Sequence, residues 1–284
     1  MTVAVLTVVI VLLTLWRSAA PGPAAARSDA TATGRPGGAQ RRADTAPTAV
    51  PSPAPGTSLT GEQAAIQRFV DLGMPVYCGG PDEPYVALTF DDGPGPYTPY
   101  SLKLLRQAHA NATFFLVGKL LGEPAFTGYP KAEATANAVG EHTWDHVSVA
   151  GLPPSGLDAQ IGRTQDAVAK ATGEPVTLFR PPYGATSPAV ASYVKSHGMI
   201  QVLWTIDSGD SQAGTSADEV LSHIKRSLSP GDIILLHENR GNTRNALPRI
   251  LDLLDQRGLQ AVTVPQLLAL DPPSRQQLRS HSCG

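Results

Sequence analysis

Beyond about residue 83, short apolar runs alternate with segments of helical character, the pattern of parallel strands joined by crossover helices. The strand candidates are YVALTF (85–90), ATFFLVG (112–118), VTLFR (176–180), MIQVLWTI (199–206), DIILLH (232–237) and LQAVTV (259–264), with a weaker one at 138–141. Capping chemistry marks the helices between them. Ser187-Pro188 opens one that Gly198 can close, and Ser216 with Glu219 and Ser155 with Asp158 read as capping boxes. A longer helix near 244–257 carries Leu247, Ile250, Leu251 and Leu254 at helical spacing, with Gly258 behind it. About seven β/α units result, without an internal repeat, so the expected fold is one barrel-like α/β domain. In such barrels the active site forms at the C-terminal ends of the strands.

The first 58 residues follow a different pattern. VAVLTVVIVLLTLW (3–16) is an uncharged apolar run of 14 residues, shorter than the about 20 that a membrane span needs. It reads as the core of an export signal, with AAARS from Ala24 as a cleavage region. An uncleaved anchor is the alternative, and it would be the chain's only membrane contact. Residues 27–58 are rich in Ala, Pro, Gly, Thr and Ser and read as a flexible tether to a domain at 59–284. Five Arg and two Asp give residues 1–58 a charge of +3, so 59–284 carries −5 of a total of −2. An acidic domain behind a basic tail is a poor nucleic-acid binder, and a monomer is expected. Cys78 and Cys283 are the only cysteines and bracket the domain, so in an exported protein they are expected to form one disulfide.

Nearly every unusual polar cluster falls at the end of a strand candidate: DDGP (91–94), RPPYG (180–184), DSGD (207–210) and HEN (237–239). One rim collects the chemistry. EHTWDH places His142 and His146 four apart, which on a helical turn projects both imidazoles from one face. A carboxylate from Asp91 or Asp92 would complete a two-His, one-acid site suited to catalytic zinc. The acid left over could act as a base, with the Gly93-Pro94 break allowing neighbouring side chains to reach one rim. Arg180, in a turn stiffened by Pro181 and Pro182, can pair with that base, and the Tyr183 N–H can face an oxyanion. His237 could donate a proton, tuned by Asp207 or Asp210. His109, His197, His223 and His281 read as surface residues.

Taken together, TFDDGP (89–94), HTWDH (142–146), RPPYG (180–184) and LLH (235–237), in that order, make residues 84–268 resemble the NodB-homology polysaccharide deacetylases, carbohydrate esterase family 4. The resemblance implies an irregular (β/α)7 barrel and hydrolytic removal of acetyl groups from a glycan. It assigns Asp91 as base, Asp92, His142 and His146 as ligands of a divalent metal, usually Zn2+, and Arg180 as the tether of the base. By the same resemblance the Tyr183 amide is the oxyanion donor, His237 the acid supported by Asp210, and Leu235 the wall behind the acetyl methyl. One position departs from the pattern: Ser211 stands where many members carry a Trp that walls the groove. The implied substrate is an N-acetylglucosamine polymer, peptidoglycan or chitin-like. An O-acetyl esterase acting on xylan and an inactive glycan-binding barrel are the alternatives.

Overall fold

The computed structural model describes residues 59–281, so the expected export segment and tether up to residue 58, and Cys283, lie outside the described residues. Cys78 is fully buried. Among the described residues no helix is long and apolar enough to cross a membrane. The sheet is built from β1 (Tyr85–Gly93), β2 (Ala112–Leu116), β3 (Ala138–Glu141), β4 (Leu178–Phe179), β5 (Ile200–Gln201), β6 (Ile206–Asp207), β7 (Ile233–His237) and β8 (Gln260–Ala261). All ladders between these strands are parallel, in the order β5-β4-β3-β2-β1-β7-β6, with β8 paired to the start of β1.

The run MIQVLWTI, expected as one strand, is two. Ile200 and Gln201 pair with β4 at one end of the sheet, whereas Ile206 and Asp207 pair with β7 at the other. Residues 202–205 therefore join the two ends covalently, beside Val76, whose N–H donates to Gln201 O (2.8 Å) and whose carbonyl accepts from the Leu203 N–H (2.7 Å). No helix intervenes between β5 and β6, although helices lie between every other consecutive pair. This is why eight short strands make an irregular (β/α)7 barrel.

Alternation along the strands separates two cores, because successive side chains point to opposite faces. Val86, Leu88 and Phe90 of β1, Ala112, Phe114 and Leu116 of β2, and Ile234 and Leu236 of β7 pack with the crossover helices. Ala87, Phe115 and Ile233 belong to a second cluster, with residues of the helices Leu59–Leu72 and Val264–Leu270. On β1 that inward column runs Ala87, Thr89, Asp91, and on β7 it runs Ile233, Leu235, His237. Asp91 and His237 are direct partners in the parallel register, so both columns end in polar side chains at the same level.

The caps at Ser187 and Ser216 form as expected, each hydroxyl accepting from the backbone N–H three residues on. Gly198 and Gly258 follow their helices in left-handed conformation. The box expected at Ser155 does not form. The helix starts at Pro154 with Pro153 as its cap, so Ser155 lies inside it; a proline at the first turn fixes the entry instead. That helix continues through a π-helical turn, Asp158–Gly162, into Arg163–Thr172.

Gly140 places β3 between its neighbours. A methyl added there would lie 2.7 Å from two Phe115 ring carbons and 2.8 Å from Leu178 O. Gly140→Ala is therefore expected to cost about 1–3 kcal/mol through overpacking, read as a lower urea midpoint; a loss below about 0.5 kcal/mol would contradict this packing.

Candidate active site

The two acids of DDGP share a rim because β1 bulges between them. Its register with β2 steps from Phe90↔Phe114 to Gly93↔Leu116, three residues against two, and Asp92 adopts φ +65°. An extra residue in one strand re-aims the side chains around it. The irregularity thus lies at Asp91–Asp92, inside a strand that runs to Gly93, rather than at the expected Gly93-Pro94 break. Gly93 has its own reason: a methyl there would collide with Glu238 Oε2.

Asp91 is buried, and its Oδ1 accepts from Arg180 Nη1 at 2.8 Å. Arg180 has no exposed surface, and its other bonds run to Thr89 Oγ1 (2.7 Å), Val202 O (3.1 Å) and Leu203 O (3.1 Å). Its guanidinium lies 4.2 Å from the centre of the Phe115 ring. Burial pulls the Arg180 pKa down, opposed by the Asp91 charge and hydrogen bond. A guanidinium starts so high that it keeps its proton, and Asp91 faces a fixed positive charge.

His142 and His146 do not sit on a helical turn. They flank a loop in which Thr143 (φ +65°) and His146 itself (φ +59°) are left-handed. The fully buried Glu141 carboxyl accepts from the Thr143 N–H at 2.8 Å, and burial raises its pKa well above the usual range. His142 Nδ1 lies 2.7 Å from Arg180 O. A carbonyl only accepts, so Nδ1 carries the proton and Nε2 presents its lone pair. That Nε2 is 3.6 Å from Asp91 Oδ2 and 3.8 Å from Asp92 Oδ1. Burial lowers the His142 pKa despite both carboxylates, favouring the neutral ring. The Tyr183 hydroxyl donates to His146 O (3.4 Å) and can accept from His146 Nδ1 (3.2 Å), which leaves His146 Nε2 facing Asp92 Oδ1 at 3.2 Å.

One ligating atom each from Asp92, His142 and His146 lies within 4.8 Å of the others. Asp92 Oδ1 is buried without a hydrogen-bond partner. An unpaired buried carboxylate oxygen is costly, and facing two bare imidazole nitrogens it fits a divalent cation.

Across the ladder from Asp91, His237 Nδ1 donates to Asp210 Oδ1 at 2.7 Å, and the His237 N–H donates to Asp210 Oδ2 at 2.7 Å. Burial alone would lower the His237 pKa, but the Asp210 hydrogen bond and charge together with the Asp91 and Asp92 charges outweigh it, and the net shift is upward. Burial would likewise raise the Asp210 pKa, but its bonds with His237 and the Thr243 hydroxyl bring it down. Asp207, the other candidate partner of His237, is exposed and caps the Gly209 N–H at 2.8 Å. Leu235 lies two residues before His237 on the inward column. The Tyr183 side chain is 72% exposed, its backbone left-handed at φ +62°, and Ser211 is exposed. His223 is a correction: it is half-buried, and its Nδ1 is 3.0 Å from Ser208 O, beneath the loop that carries Asp210. His109, His197 and His281 are exposed.

Several neighbours escape a reading of the sequence. Thr89 and Thr243 contact Arg180 and Asp210, and Asn239 Nδ2 reaches Asp92 Oδ2 at 3.4 Å. Asn239 lies in HEN and was within reach of motif reading; the threonines carry no local signal.

Residues 79–202 match the polysaccharide deacetylase family profile. A peptidoglycan-N-acetylglucosamine deacetylase of Bacillus cereus is 35% identical over 193 residues, 66% of this chain and 89% of that one. A family 4 carbohydrate esterase from Streptomyces lividans, solved with acetate, superposes with a TM-score of 0.59 at 36% identity, covering 66% of this chain and 95% of the other. A pseudoenzyme of that esterase family from Bacillus anthracis gives a TM-score of 0.63 at 28% identity, over 68% of each chain.

Below the rim lies a second acid pair, which joins a residue inside the matched span to one outside it. Glu238 and Glu133 are buried together, Glu238 accepting from the Thr98 hydroxyl. Burial pushes Glu238 up to about 8, and burial with the Glu238 charge raises Glu133 well above its usual range. A carboxyl whose folded pKa is raised contributes stability at low pH and loses it as pH rises through the folded value. From the ordinary 4.5 to about 8, the folded state therefore weakens with pH on account of Glu238. The isosteric Glu238→Gln, which does not titrate, should gain urea-midpoint stability over the wild type between pH 5.5 and 8.5; an equal difference at both would refute the assignment.

Proposed function

The chain belongs to the polysaccharide deacetylase family, and from that premise we propose that it hydrolyses N-acetyl groups on an extracellular N-acetylglucosamine polymer, with peptidoglycan or chitin-like chains as the substrate class. The observation that carries this reading is the arrangement around Asp91. A base held by a fully buried arginine lies one residue from an acid whose orphan oxygen faces two imidazoles, and His237 with its carboxylate stands opposite. A barrel that only bound glycan would have no need of the Asp91 carboxylate, the Asp92–His142–His146 cluster and the His237–Asp210 pair together on one rim.

In this reading Asp92, His142 and His146 hold a divalent cation, zinc by the donor set of two imidazoles and a carboxylate. Once bound, the cation polarises the acetyl carbonyl and acidifies water beside it. Asp91 takes the proton of the attacking water through Oδ2, the oxygen that Arg180 leaves free. Arg180 holds Asp91 in place through the Nη1–Oδ1 bond. The Tyr183 N–H, presented by a left-handed residue, steadies the carbonyl oxygen as charge develops on it. His237 delivers the proton that the departing nitrogen needs as the C–N bond breaks, while Asp210 holds its Nδ1 and keeps the ring protonated. Leu235 backs the acetyl methyl. Residues 1–26 direct the chain out of the cell, and 27–58 tether the catalytic domain. The exposed Ser211 keeps O-acetyl xylan open as a second substrate, because it leaves one side of the groove without a large ring.

Mass spectrometry of peptidoglycan, chitin oligomers and acetylated xylan after incubation with enzyme and zinc tests the reading: acetyl loss from the first two supports it, and loss from xylan alone replaces it with the ester activity. His142→Ala is expected to lose zinc and turnover together, whereas Asp91→Asn should keep zinc and lose about 10²–10⁴-fold in kcat; a fully active Asp91→Asn removes the base. His237 acts protonated, so activity should fall as pH rises through its raised pKa. Asp210→Asn removes the largest of the influences that raise it, and should move the alkaline limb of the kcat profile to lower pH.

A further inference from the structure

The loop that carries His142 and His146 is held at every intervening residue. Thr143 O accepts from the Gly118 N–H (3.0 Å) and Trp144 O from the Lys119 N–H (3.1 Å). The Arg163 guanidinium lies 3.4 Å from the centre of the Trp144 ring. Asp145 O accepts from Lys119 Nζ at 3.3 Å. Asp145, next to His146, has one further partner, Gln160. Gln160 Oε1 accepts from the Asp145 N–H at 3.0 Å, and Gln160 Nε2 donates to Asp145 Oδ2 at 3.0 Å. A carboxamide offers an acceptor and a donor side by side on one planar end, and only one of its two flip states satisfies both bonds.

Gln160 lies in the middle of the π-helical turn Asp158–Gly162. A π turn adds a residue and so rotates one half of the helix against the other by about 100° relative to a continuous α-helix. The rotation lets Gln160 reach Asp145 while Ile161, Thr164 and Val168 stay buried against the sheet. The turn is itself pinned. The Thr164 hydroxyl donates to Gln160 O (2.7 Å), and the Tyr193 hydroxyl donates to Asp158 Oδ1 (2.9 Å). Tyr193 packs so closely that a methyl at Gly162 would lie 2.6 Å from its hydroxyl. His142 needs no such help, because its ring is buried and bonded to Arg180 O. His146 is half-buried at the end of the loop, in a left-handed conformation that most residues avoid.

We propose that Gln160 is a positioning residue that fixes Asp145, and through it the His146 imidazole, so that the π turn sets how tightly the Asp92–His142–His146 cluster binds its cation. This rests on the metal reading of that cluster. Outer-shell partners of metal ligands typically govern affinity by 10–100-fold. Gln160 acts one residue further out, so a loss of about three- to tenfold is expected.

The full chain, stripped of metal by chelation, is titrated with Zn2+ against a chromophoric chelator, comparing wild type, Gln160→Ala, Gln160→Glu and His142→Ala. Gln160→Glu keeps the acceptor for the Asp145 N–H but sets a carboxylate against Asp145 Oδ2, and it decides the matter if the alanine variant does not fold. A zinc Kd raised threefold or more, with the urea midpoint of the metal-free protein unchanged and kcat at saturating zinc unchanged, supports the proposal. A smaller rise, or one that merely follows a loss of metal-free stability, overturns it. Wild type failing to bind zinc, or His142→Ala binding as tightly as wild type, overturns the metal reading itself and this inference with it.

Discussion

The ion pair between Arg180 and Asp91 is the constraint on which the site depends. A fully buried guanidinium is tolerated only when its donors are satisfied and its charge is met. Here one side chain binds the Thr89 hydroxyl and the Asp91 carboxylate on β1, and the carbonyls of Val202 and Leu203 in the segment that closes the sheet. The same residue's own carbonyl accepts from His142. The Asp91 carboxylate, one imidazole and the closure of the barrel are therefore set by a single residue at the end of β4. Loosening it would disturb all three at once, since the carboxylate left behind would be buried and unpaired.

Around that pair the backbone departs from regular structure where the chemistry is concentrated. Among the described residues, six non-glycine positions have positive φ, and Asp92, Thr143, His146 and Tyr183 are four of them. Each such conformation costs of order 1–3 kcal/mol and persists only where the surroundings over-determine it. The surroundings can be named. The Glu141 carboxyl holds Thr143 from below, Gln160 and Lys119 hold Asp145, and the β1 bulge is fixed by strands on both sides. The consequence is preorganisation: the carboxylates of Asp91 and Asp92 and the imidazoles of His142 and His146 face one another in a fixed arrangement.

The opposite half of the rim is built with opposite electrostatics. His142 lies in a dry environment that favours the neutral ring, whereas His237 is tied to Asp210 at two points and favours the charged one. The two histidines are thus biased toward different protonation states, one by burial and the other chiefly by its bonded carboxylate, aided by the charges of Asp91 and Asp92. This separation allows one to offer a lone pair and the other a proton at the same pH.

Local pattern in the sequence determined the strands, most helix caps, the barrel class and the collection of polar motifs at strand ends, because side-chain alternation and capping are interactions between residues a few positions apart. Only the tertiary structure decided that MIQVLWTI divides between the two ends of the sheet, since either half is equally apolar and the choice lies with its ladder partners. It also decided that His142 and His146 meet through a left-handed loop rather than a helical turn, where spacing alone suits both. The same holds for Asp210 over Asp207 as partner of His237, for Glu133 beside Glu238, and for Gln160 beneath Asp145. Those pairs are separated by 27, 105 and 15 positions, and a contact across such a gap is fixed by how strands and helices pack, not by the residues next to it in the chain.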